Sequence, residues 1–203
     1  VALRIAWRAL TFAGLRGPDR MRELNRILRT ERSGSGAFAT VLSLAIPPTG
    51  PMITAVRAGH PGMLLHHNGT VEWVEPPGAG ALGLHDGDWP ADQVELPAGA
   101  GLVLLTDGVF EGHSGRGRER LGEEGLLELA RSLADLPSAN FVDALIDGAE
   151  EMAQAHGGLR LVALLAAGAG GAEAVERALR QQRLVVQSQV VAPIAHARDG
   201  IIA

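Results

Sequence analysis

One carboxylate stands out because it closely follows a run of apolar residues. Residues 102–105 are Leu, Val, Leu and Leu, which predicts a strand buried on both faces. Asp107 comes two residues later, between Thr106 and Gly108. A carboxylate at the end of a rigid strand is fixed in position, and the glycine gives an ion and a substrate room to approach the backbone. On these residues alone, a plain turn is the commoner interpretation and a cation ligand the functional one.

Histidines form a second group with ligand or proton-transfer chemistry. His60 lies in an Ala-Gly-His-Pro sequence, directly after Gly59, where it is either a structural turn residue or a catalytic one. His66 and His67 are adjacent on a predicted strand, so their side chains point to opposite faces and cannot easily share one ion. We expect both of these to be surface histidines.

Two predicted loops carry clusters of charged side chains. The acidic loop contains Asp86, Asp88 and Asp92, which would hold a cation only if the loop folded back on itself. The other loop contains Glu111, His113, Arg116, Arg118 and Arg120. Guanidinium groups bind phosphate through paired hydrogen bonds, so this second loop could meet a phosphorylated partner. Solvated loops are the commoner interpretation of both clusters.

Composition limits the chemistry further. The chain has no cysteine, so a metal ion would need carboxylate, imidazole or backbone oxygen ligands, which favours hard cations over zinc. Residues 1–32 hold eight arginines and three acidic residues, so this segment carries +5 while the whole chain carries −5. The net charge argues against bulk nucleic-acid binding, and the basic start suits an acidic partner or a solvated helix face. Because no apolar run reaches about 18 residues, we expect a cytoplasmic protein without a membrane span.

Periodicity predicts the elements that position these residues. Two amphipathic helices come first, with Pro18 in the first turn of the second, and their apolar stripes are needed for packing rather than for reading DNA. Asn68-Gly69 predicts a tight hairpin, because both central residues of such a turn need positive φ. Strands are predicted over 38–46, 52–58, 63–67, 71–74, 93–96, 102–105 and 161–167, and a loop over 76–87. Helices are predicted over 126–133 and 141–155, the latter with Ser138 as N-cap. This order indicates an α+β fold with packed antiparallel sheets.

Six segments occur in the order and spacing of a known family: 38–42 (FATVL), 58–61 (AGHP), 68–72 (NGTVE), 81–84 (ALGL), 94–99 (VELPAG) and 104–111 (LLTDGVFE). Together they resemble the SpoIIE/RsbU branch of the PPM phosphatases, which are protein phosphatase 2C-like. The resemblance spans residues 1–167, which we expect to form one domain, with residues 168–203 as an atypical tail. It implies a sandwich of two antiparallel sheets flanked by helices, incomplete at the N-terminus because the chain begins after the family's first strands.

The resemblance also implies a metal-dependent serine/threonine protein phosphatase that acts in bacterial sigma-factor regulation by partner switching. Two Mn²⁺ or Mg²⁺ ions would activate a water molecule for attack on the phosphoryl group, and Asp107 matches a metal ligand of the family. Gly59, His60, Thr106 and Gly108 match motif residues near that site, and no catalytic residue is assigned. The implied partner is a phosphorylated protein such as an anti-sigma-factor antagonist, with a homodimer left open. Residues 1–31 take the place of the family's regulatory switch helices.

Two departures from the family leave a second interpretation open. The family's early acidic strand precedes the first helix and is not in this chain, and its late Asp-Asp pair falls on Arg160 and Leu161 or is deleted. An arginine repels a cation, so Arg160 cannot replace the lost ligand. The alternative is a catalytically degenerate PPM fold that acts as a protein-binding regulatory module. Residues 184–195 of the tail are apolar and β-prone, and no role is predicted for them.

Overall fold

The computed structural model describes residues 2–31, 38–47, 50–105, 122–154, 163–167 and 199–202. The helices are α1 (Ala2–Phe12), α2 (Gly17–Glu31), α3 (Gly122–Ser132) and α4 (Ser138–Gln154). The strands are β1 (Val41–Ala45), β2 (Met52–Ala58), β3 (Met63–His67), β4 (Thr70–Val74), β5 (Gly78–Ala79), β6 (Ala91–Glu95), β7 (Gly101–Leu105), β8 (Ala163–Ala167) and β9 (Asp199–Ile202). These elements fall into two compact units, each with one sheet and two helices, which confirms the α+β class.

The first unit is built on a five-stranded sheet in which β2 has the most partners. Strand β1 pairs with one edge of β2, and β9 pairs with the far edge of β1, both antiparallel. The other edge of β2 pairs with β6 in antiparallel fashion and, further along, with the two-residue strand β5 in parallel. Apart from that short parallel pair, the sheet is antiparallel as predicted.

Helices α1 and α2 bury their apolar stripes in the core of this unit. Trp7, Met21, Leu24 and Leu28 are each at most 6% exposed, and they pack with Val41, Val56, Ala58, Leu82 and Trp89. Full burial of one large apolar side chain stabilises a fold by about 1.5–3 kcal/mol. Burial therefore holds the two helices far more strongly than exposed ion pairs do, because solvent and side-chain entropy weaken such pairs. Pro18 lies in the first turn of α2, as the sequence predicts.

A buried arginine ties α1, α2 and β1 together. Arg20 is 1% exposed, and its guanidinium carbon lies 3.6 Å from the centre of the Trp7 ring. Its Nη1 donates to Thr11 Oγ1 at 2.9 Å and its Nη2 donates to Ser43 Oγ at 3.3 Å. A buried charge is costly unless it is hydrogen-bonded, so these partners are what allow Arg20 to lie inside the unit.

The second unit is a four-stranded antiparallel sheet in the order β4, β3, β7, β8. Helices α3 and α4 contribute Leu126, Ala130, Phe141, Val142 and Leu145 to its core, and the strands contribute Leu64, Val71, Val103 and Leu105. The β3–β4 hairpin turns at Asn68 and Gly69, whose φ angles of 49° and 73° are both positive. The hairpin prediction is thus confirmed, together with the central place of β7.

His66 lies in the core of the second unit, so its prediction as a surface histidine is wrong. The residue is 4% exposed, and its ring stacks on Phe141 at 4.4 Å between centroids. Its Nε2 lies 2.7 Å from the Ala134 carbonyl oxygen, to which the N–H form of that nitrogen donates. An aromatic ring with a satisfied polar atom is buried at little cost. His67, on the opposite face, is half-buried.

Several predicted boundaries also differ from the structure. The predicted loop over 76–87 contains β5, and the predicted strand over 38–46 is shorter, since β1 spans Val41–Ala45. The N–H groups of Asn140 and Phe141 donate to the Pro137 carbonyl, which places Pro137 rather than Ser138 at the N-cap of α4.

The end of the chain also belongs to a sheet. Strand β9 pairs with β1, although residues 168–203 are predicted from the sequence to form an atypical tail. The division between residues 167 and 168 itself stays a prediction. Among the helices described, none combines the length and the apolar character needed to cross a bilayer.

Candidate active site

Strand β7 directly precedes, in sequence, the segment that contains the predicted metal ligand. All five of its residues, from Gly101 to Leu105, are buried, and it is hydrogen-bonded to β3 along one edge and to β8 along the other. A strand held in this way has little freedom to move within its sheet. Thr106, Asp107 and Gly108 come next in sequence and lie outside the described residues. The buried strand is therefore confirmed, while Asp107 as a ligand stays a prediction.

Other predicted site residues lie outside the described part of the chain as well. They are Glu111, His113, Arg116, Arg118, Arg120, Arg160, Leu161 and the segment 184–195. The roles that the sequence suggests for these residues therefore stay predictions.

The turn that contains Gly59 is tightly built. Gly59 has a φ of 63°, and its N–H donates to the Ala79 carbonyl at 2.7 Å. A Cβ at this position would lie 2.7 Å from the backbone nitrogen of Ala81, closer than side chains come in real structures. Both the backbone conformation and the close approach of a neighbouring segment therefore require glycine here.

His60 follows directly and is 2% exposed. Arg57 anchors the turn through its guanidinium, donating from Nη1 to the His60 carbonyl at 3.0 Å and from Nε to the Pro76 carbonyl at 2.7 Å. These contacts are backbone contacts that fix the shape of the turn. They agree with a structural role for the Ala-Gly-His-Pro sequence, and the role of the His60 side chain stays a prediction.

The acidic loop pairs with α2 instead of forming a cation site. Asp86 is ion-paired with Arg29, and Asp88 accepts from Arg22 Nη1 at 2.7 Å. Hydrogen bonding to Arg29 and, next, its positive charge lower the pKa of Asp86 below the ordinary value of 3.8. Part of the basic surface of α2 is thus paired with acidic residues of the same chain.

Asn25 adds a buried polar clamp between α2 and the same loop. It is 3% exposed; its Oδ1 accepts from the Gly83 N–H at 2.8 Å, and its Nδ2 donates to the His85 carbonyl at 3.2 Å. The two bonds satisfy backbone groups of the loop that would otherwise need water. Burial makes this clamp more dependable than the two exposed ion pairs beside it.

The described residues do not form the metal centre that the family resemblance implies. Within residues 2–31, 38–47, 50–105, 122–154, 163–167 and 199–202, no three His, Asp or Glu side chains are grouped so that they could hold an ion. Asp86 and Asp88 are engaged by arginines, and Asp107 is outside this part of the chain. We therefore derive no catalytic step through a metal ion from these residues.

Comparison with known proteins decides the family. The model of the family described as Stage II sporulation protein E (SpoIIE) matches residues 1–160, which include all four described helices and strands β1 to β7. The chain belongs to the SpoIIE family. The SpoIIE/RsbU-type phosphatase domain that the sequence motifs indicate is thereby confirmed as its family. No curated protein sequence matches the chain.

Solved structures show that this SpoIIE-family chain has the PPM-type fold. The RsbU and RsbW domains of Rv1364c from Mycobacterium tuberculosis match 83% of this chain and 47% of that one, with 28% identity and a TM-score of 0.63. The SiaA-PP2C domain of Pseudomonas aeruginosa matches 79% and 65%, with 20% identity and a TM-score of 0.65. The PP2C phosphatase domain of SpoIIE from Bacillus subtilis, with a regulatory fragment, matches 74% and 44%, with 17% identity and a TM-score of 0.59. The chain spans less than two thirds of each of these solved chains.

Sequence reasoning missed Arg20 and Asn25, the two buried polar residues of α2. A signal was present, because Met21, Leu24 and Leu28 define the apolar stripe and Asn25 falls within its spacing. A polar residue on a buried stripe needs a partner, so it indicates a specific contact. Arg20 carries a weaker signal, since it lies at the edge of the stripe.

We expect Gly59→Ala to destabilise the SpoIIE-family domain more than Gly99→Ala. Both glycines have positive φ, 63° and 81°, but a Cβ at Gly99 would meet no atom within 4 Å. Backbone strain alone costs about 1–2 kcal/mol, and the overlap with Ala81 brings the loss for Gly59→Ala to about 3 kcal/mol or more. Urea unfolding of the two variants measures the difference. Equal losses would show that Ala81 does not confine Gly59.

We also expect Arg29→Gln to raise the pKa of Asp86 back toward its ordinary value. The ion pair lowers that pKa, so its contribution to stability is present above pH 3.8 and is lost as pH falls through the lowered folded-state pKa. NMR titration of the Asp86 carboxyl carbon in the wild type and in Arg29→Gln measures the change. Arg26→Gln, which removes an arginine paired with Glu23 on the same helix, is the matched control and should leave the Asp86 titration in place. Identical titrations in wild type and Arg29→Gln would contradict the pairing.

Proposed function

We propose that this SpoIIE-family chain is a protein phosphatase domain that removes phosphate from serine or threonine of a bacterial signalling protein. The observation that carries the proposal is the Thr-Asp-Gly segment directly after β7, the buried central strand, in a chain that the SpoIIE family model matches over residues 1–160. Phosphoryl transfer depends on fixed positions for the groups that meet the phosphate. The segment follows, in sequence, a buried strand that is paired along both edges, which supports the proposal.

Mn²⁺ or Mg²⁺ is the proposed cofactor, with Asp107 as one ligand. The phosphatase domain of PstP, similar at 17% identity with a TM-score of 0.50, was crystallised with two manganese ions. The chain has no cysteine, and hard cations prefer carboxylate oxygen, which agrees with an aspartate ligand. When bound, such ions lower the pKa of a water molecule and offset the charge of the phosphoryl group.

The proposed substrate is a phosphorylated regulatory protein, such as an anti-sigma-factor antagonist, in the bacterial cytoplasm. Support comes from the family and from the Mycobacterium tuberculosis protein, in which an RsbU domain and an RsbW domain belong to the same solved structure. Partner switching through such a protein is the role that the sequence resemblance implies. Homodimerisation stays a prediction of that resemblance.

A second candidate is a regulatory module that binds a phosphoprotein without hydrolysing it. It is favoured by the family's late acidic pair, which by the sequence resemblance either falls on Arg160 and Leu161 or is deleted. A guanidinium in that place repels a divalent cation instead of binding it. Such a module would keep the partner-binding surface of the fold and leave the phosphate in place.

Hydrolysis of a phosphoserine peptide by the full chain separates the two candidates. We expect phosphate release that requires Mn²⁺, stops with EDTA and falls by about 100-fold or more in Asp107→Asn, since even residues that only support a metal ligand cost about 10–100-fold. Asp88→Asn is the matched control, because it removes an exposed carboxylate that is paired with Arg22, and it should retain the wild-type rate.

Two outcomes would contradict the phosphatase proposal. Peptide binding without Mn²⁺-dependent phosphate release would establish the regulatory module instead. Equal rates for Asp107→Asn and Asp88→Asn would show that the Thr-Asp-Gly segment takes no part in catalysis. Circular dichroism of each variant separates a lost ligand from a lost fold.

A further inference from the structure

The outward side of α1 is apolar although it faces water. On the inward side, Trp7 is 2% exposed and belongs to the core of the first unit. On the outward side, Ile5 is 62% exposed and Phe12 is 72% exposed, and Ala9 between them is exposed as well. A helix at a protein surface ordinarily buries one apolar stripe and turns polar residues to the solvent. Helix α1 therefore carries a second apolar stripe, which is exposed.

Two arginines border this stripe. The surface as a whole is the α1 face, which consists of Arg4, Ile5, Arg8, Ala9 and Phe12. Ile5, Ala9 and Phe12 are spaced i, i+4 and i+7, so they lie along one side of the helix. Arg8 is three residues from Ile5 and four from Phe12 and lies next to both, and Arg4 lies one turn before Arg8. At a rise of about 1.5 Å per residue, Ile5 and Phe12 are about 10 Å apart along the helix axis.

The α1 face is positively charged. Arg4 and Arg8 are exposed, and neither forms an ion pair with any residue of the described ranges. Residues 2–16 include three arginines and no aspartate or glutamate. Residues 1–32 carry +5 and the whole chain carries −5, which leaves −10 on residues 33–203. An anionic partner is therefore attracted to the α1 face and repelled by much of the remaining chain.

Charge and shape both favour an anionic lipid surface as the occupant of the α1 face. A second copy that met it through the same face about a twofold axis would bring four arginines together without an acidic residue. A single exposed helix is a convex ridge, and a protein partner would need a groove shaped to receive it. The headgroup layer of a bilayer accepts such a helix lying in its plane. Arginine also suits this layer, because its stem covers apolar surface while its guanidinium binds phosphate.

We propose that the α1 face binds the surface of an anionic lipid bilayer, with α1 parallel to the membrane plane. Ile5 and Phe12 enter the boundary between headgroups and acyl chains, and Arg4 and Arg8 bind headgroup phosphates. Such contact needs no membrane-spanning helix, and none is found among the helices described. Two apolar side chains and two arginines give weak, reversible binding, since even one myristoyl chain binds a bilayer only marginally. This binding does not depend on the phosphatase reaction.

Co-sedimentation of the full chain with lipid vesicles tests the proposal. We expect binding to vesicles of equal parts phosphatidylglycerol and phosphatidylcholine, and binding at least about tenfold weaker to phosphatidylcholine alone, because two arginines near an anionic surface together raise the affinity about 30-fold. Raising the salt from about 0.1 M to about 1 M shortens the Debye length from about 10 Å to about 3 Å. Binding to the anionic vesicles should then weaken toward the level of the neutral ones.

Two variants, each with a matched control, separate the charged and apolar contributions. Arg8→Gln should weaken binding to the anionic vesicles about fivefold. Arg26→Gln changes the net charge equally on α2, where Arg26 is exposed and paired with Glu23, and should bind like the wild type. Phe12→Ser should weaken binding about tenfold, because a large apolar side chain no longer enters the bilayer. Phe38→Ser removes a phenylalanine that is 60% exposed outside α1, and it should leave the affinity unchanged.

The absence of cysteine allows the bound surface to be located with a single label. A polarity-sensitive dye is attached to Ala9→Cys on the α1 face and, as the control, to Ala98→Cys, an exposed position in the turn after β6. With anionic vesicles, emission from the dye on the α1 face should shift to shorter wavelength, because the dye enters an apolar environment. The dye at the control position should not respond. Equal shifts at both positions would contradict binding through the α1 face.

Several other results would overturn the proposal. They are binding to neither kind of vesicle, equal binding to both, equal affinities in Arg8→Gln and Arg26→Gln, or equal affinities in Phe12→Ser and Phe38→Ser. Sedimentation velocity without lipid tests the competing occupant: a dimer that Phe12→Ser dissociates would show that a second copy covers the α1 face instead. Phosphatase activity enters none of these measurements. Circular dichroism of each variant confirms that a loss of binding is not a loss of the fold.

Discussion

The second unit depends on the burial of β7 on both faces and its pairing along both edges. A strand inside a protein must satisfy its backbone groups within the sheet, so β3 and β8 have to lie beside it. Its apolar residues Val103 and Leu105 then provide the surface on which α3 and α4 pack. The Thr-Asp-Gly segment, which contains the proposed metal ligand, follows this strand in sequence without an intervening residue.

In the first unit, apolar burial supplies the stability and buried polar groups supply the orientation. Trp7, Met21 and Leu24 would remain buried under small shifts of the helices, because the hydrophobic effect has no preferred direction. Arg20 and Asn25 tolerate no such shift, since each must keep hydrogen bonds of fixed length and direction to α1, β1 or the loop before β6. The exposed pairs of Arg22 and Arg29 with that loop add charge complementarity to an arrangement that is already set.

Features that depend on neighbouring residues in the chain could be predicted from the sequence. The Asn68-Gly69 hairpin follows from positive φ, and the central place of β7 follows from its uninterrupted apolar residues. Features that depend on distant partners could not. His66 is buried because its ring stacks on Phe141 and hydrogen-bonds to the Ala134 carbonyl, and Asp86 pairs with an arginine of α2. These partners are distant in the sequence, so the local pattern does not reveal them. Strand β5, with two residues, carries no periodicity at all. For the candidate site, the sequence motif was enough to propose Asp107 as a metal ligand and to indicate the family. The remaining metal ligands could not be predicted in this way, because tertiary structure brings such residues together.

Paramagnetic broadening by Mn²⁺ in NMR spectra of the chain tests most directly whether the end of β7 supports a metal ligand. The effect falls steeply with distance, and the five residues of β7 extend over about 13 Å between the first and last Cα atoms. The account predicts that low Mn²⁺ broadens the amide signals of Leu104 and Leu105 before that of Gly101, and that Asp107→Asn removes this order. Broadening confined to the Asp86 and Asp88 loop, or the same broadening in Asp107→Asn, would contradict it.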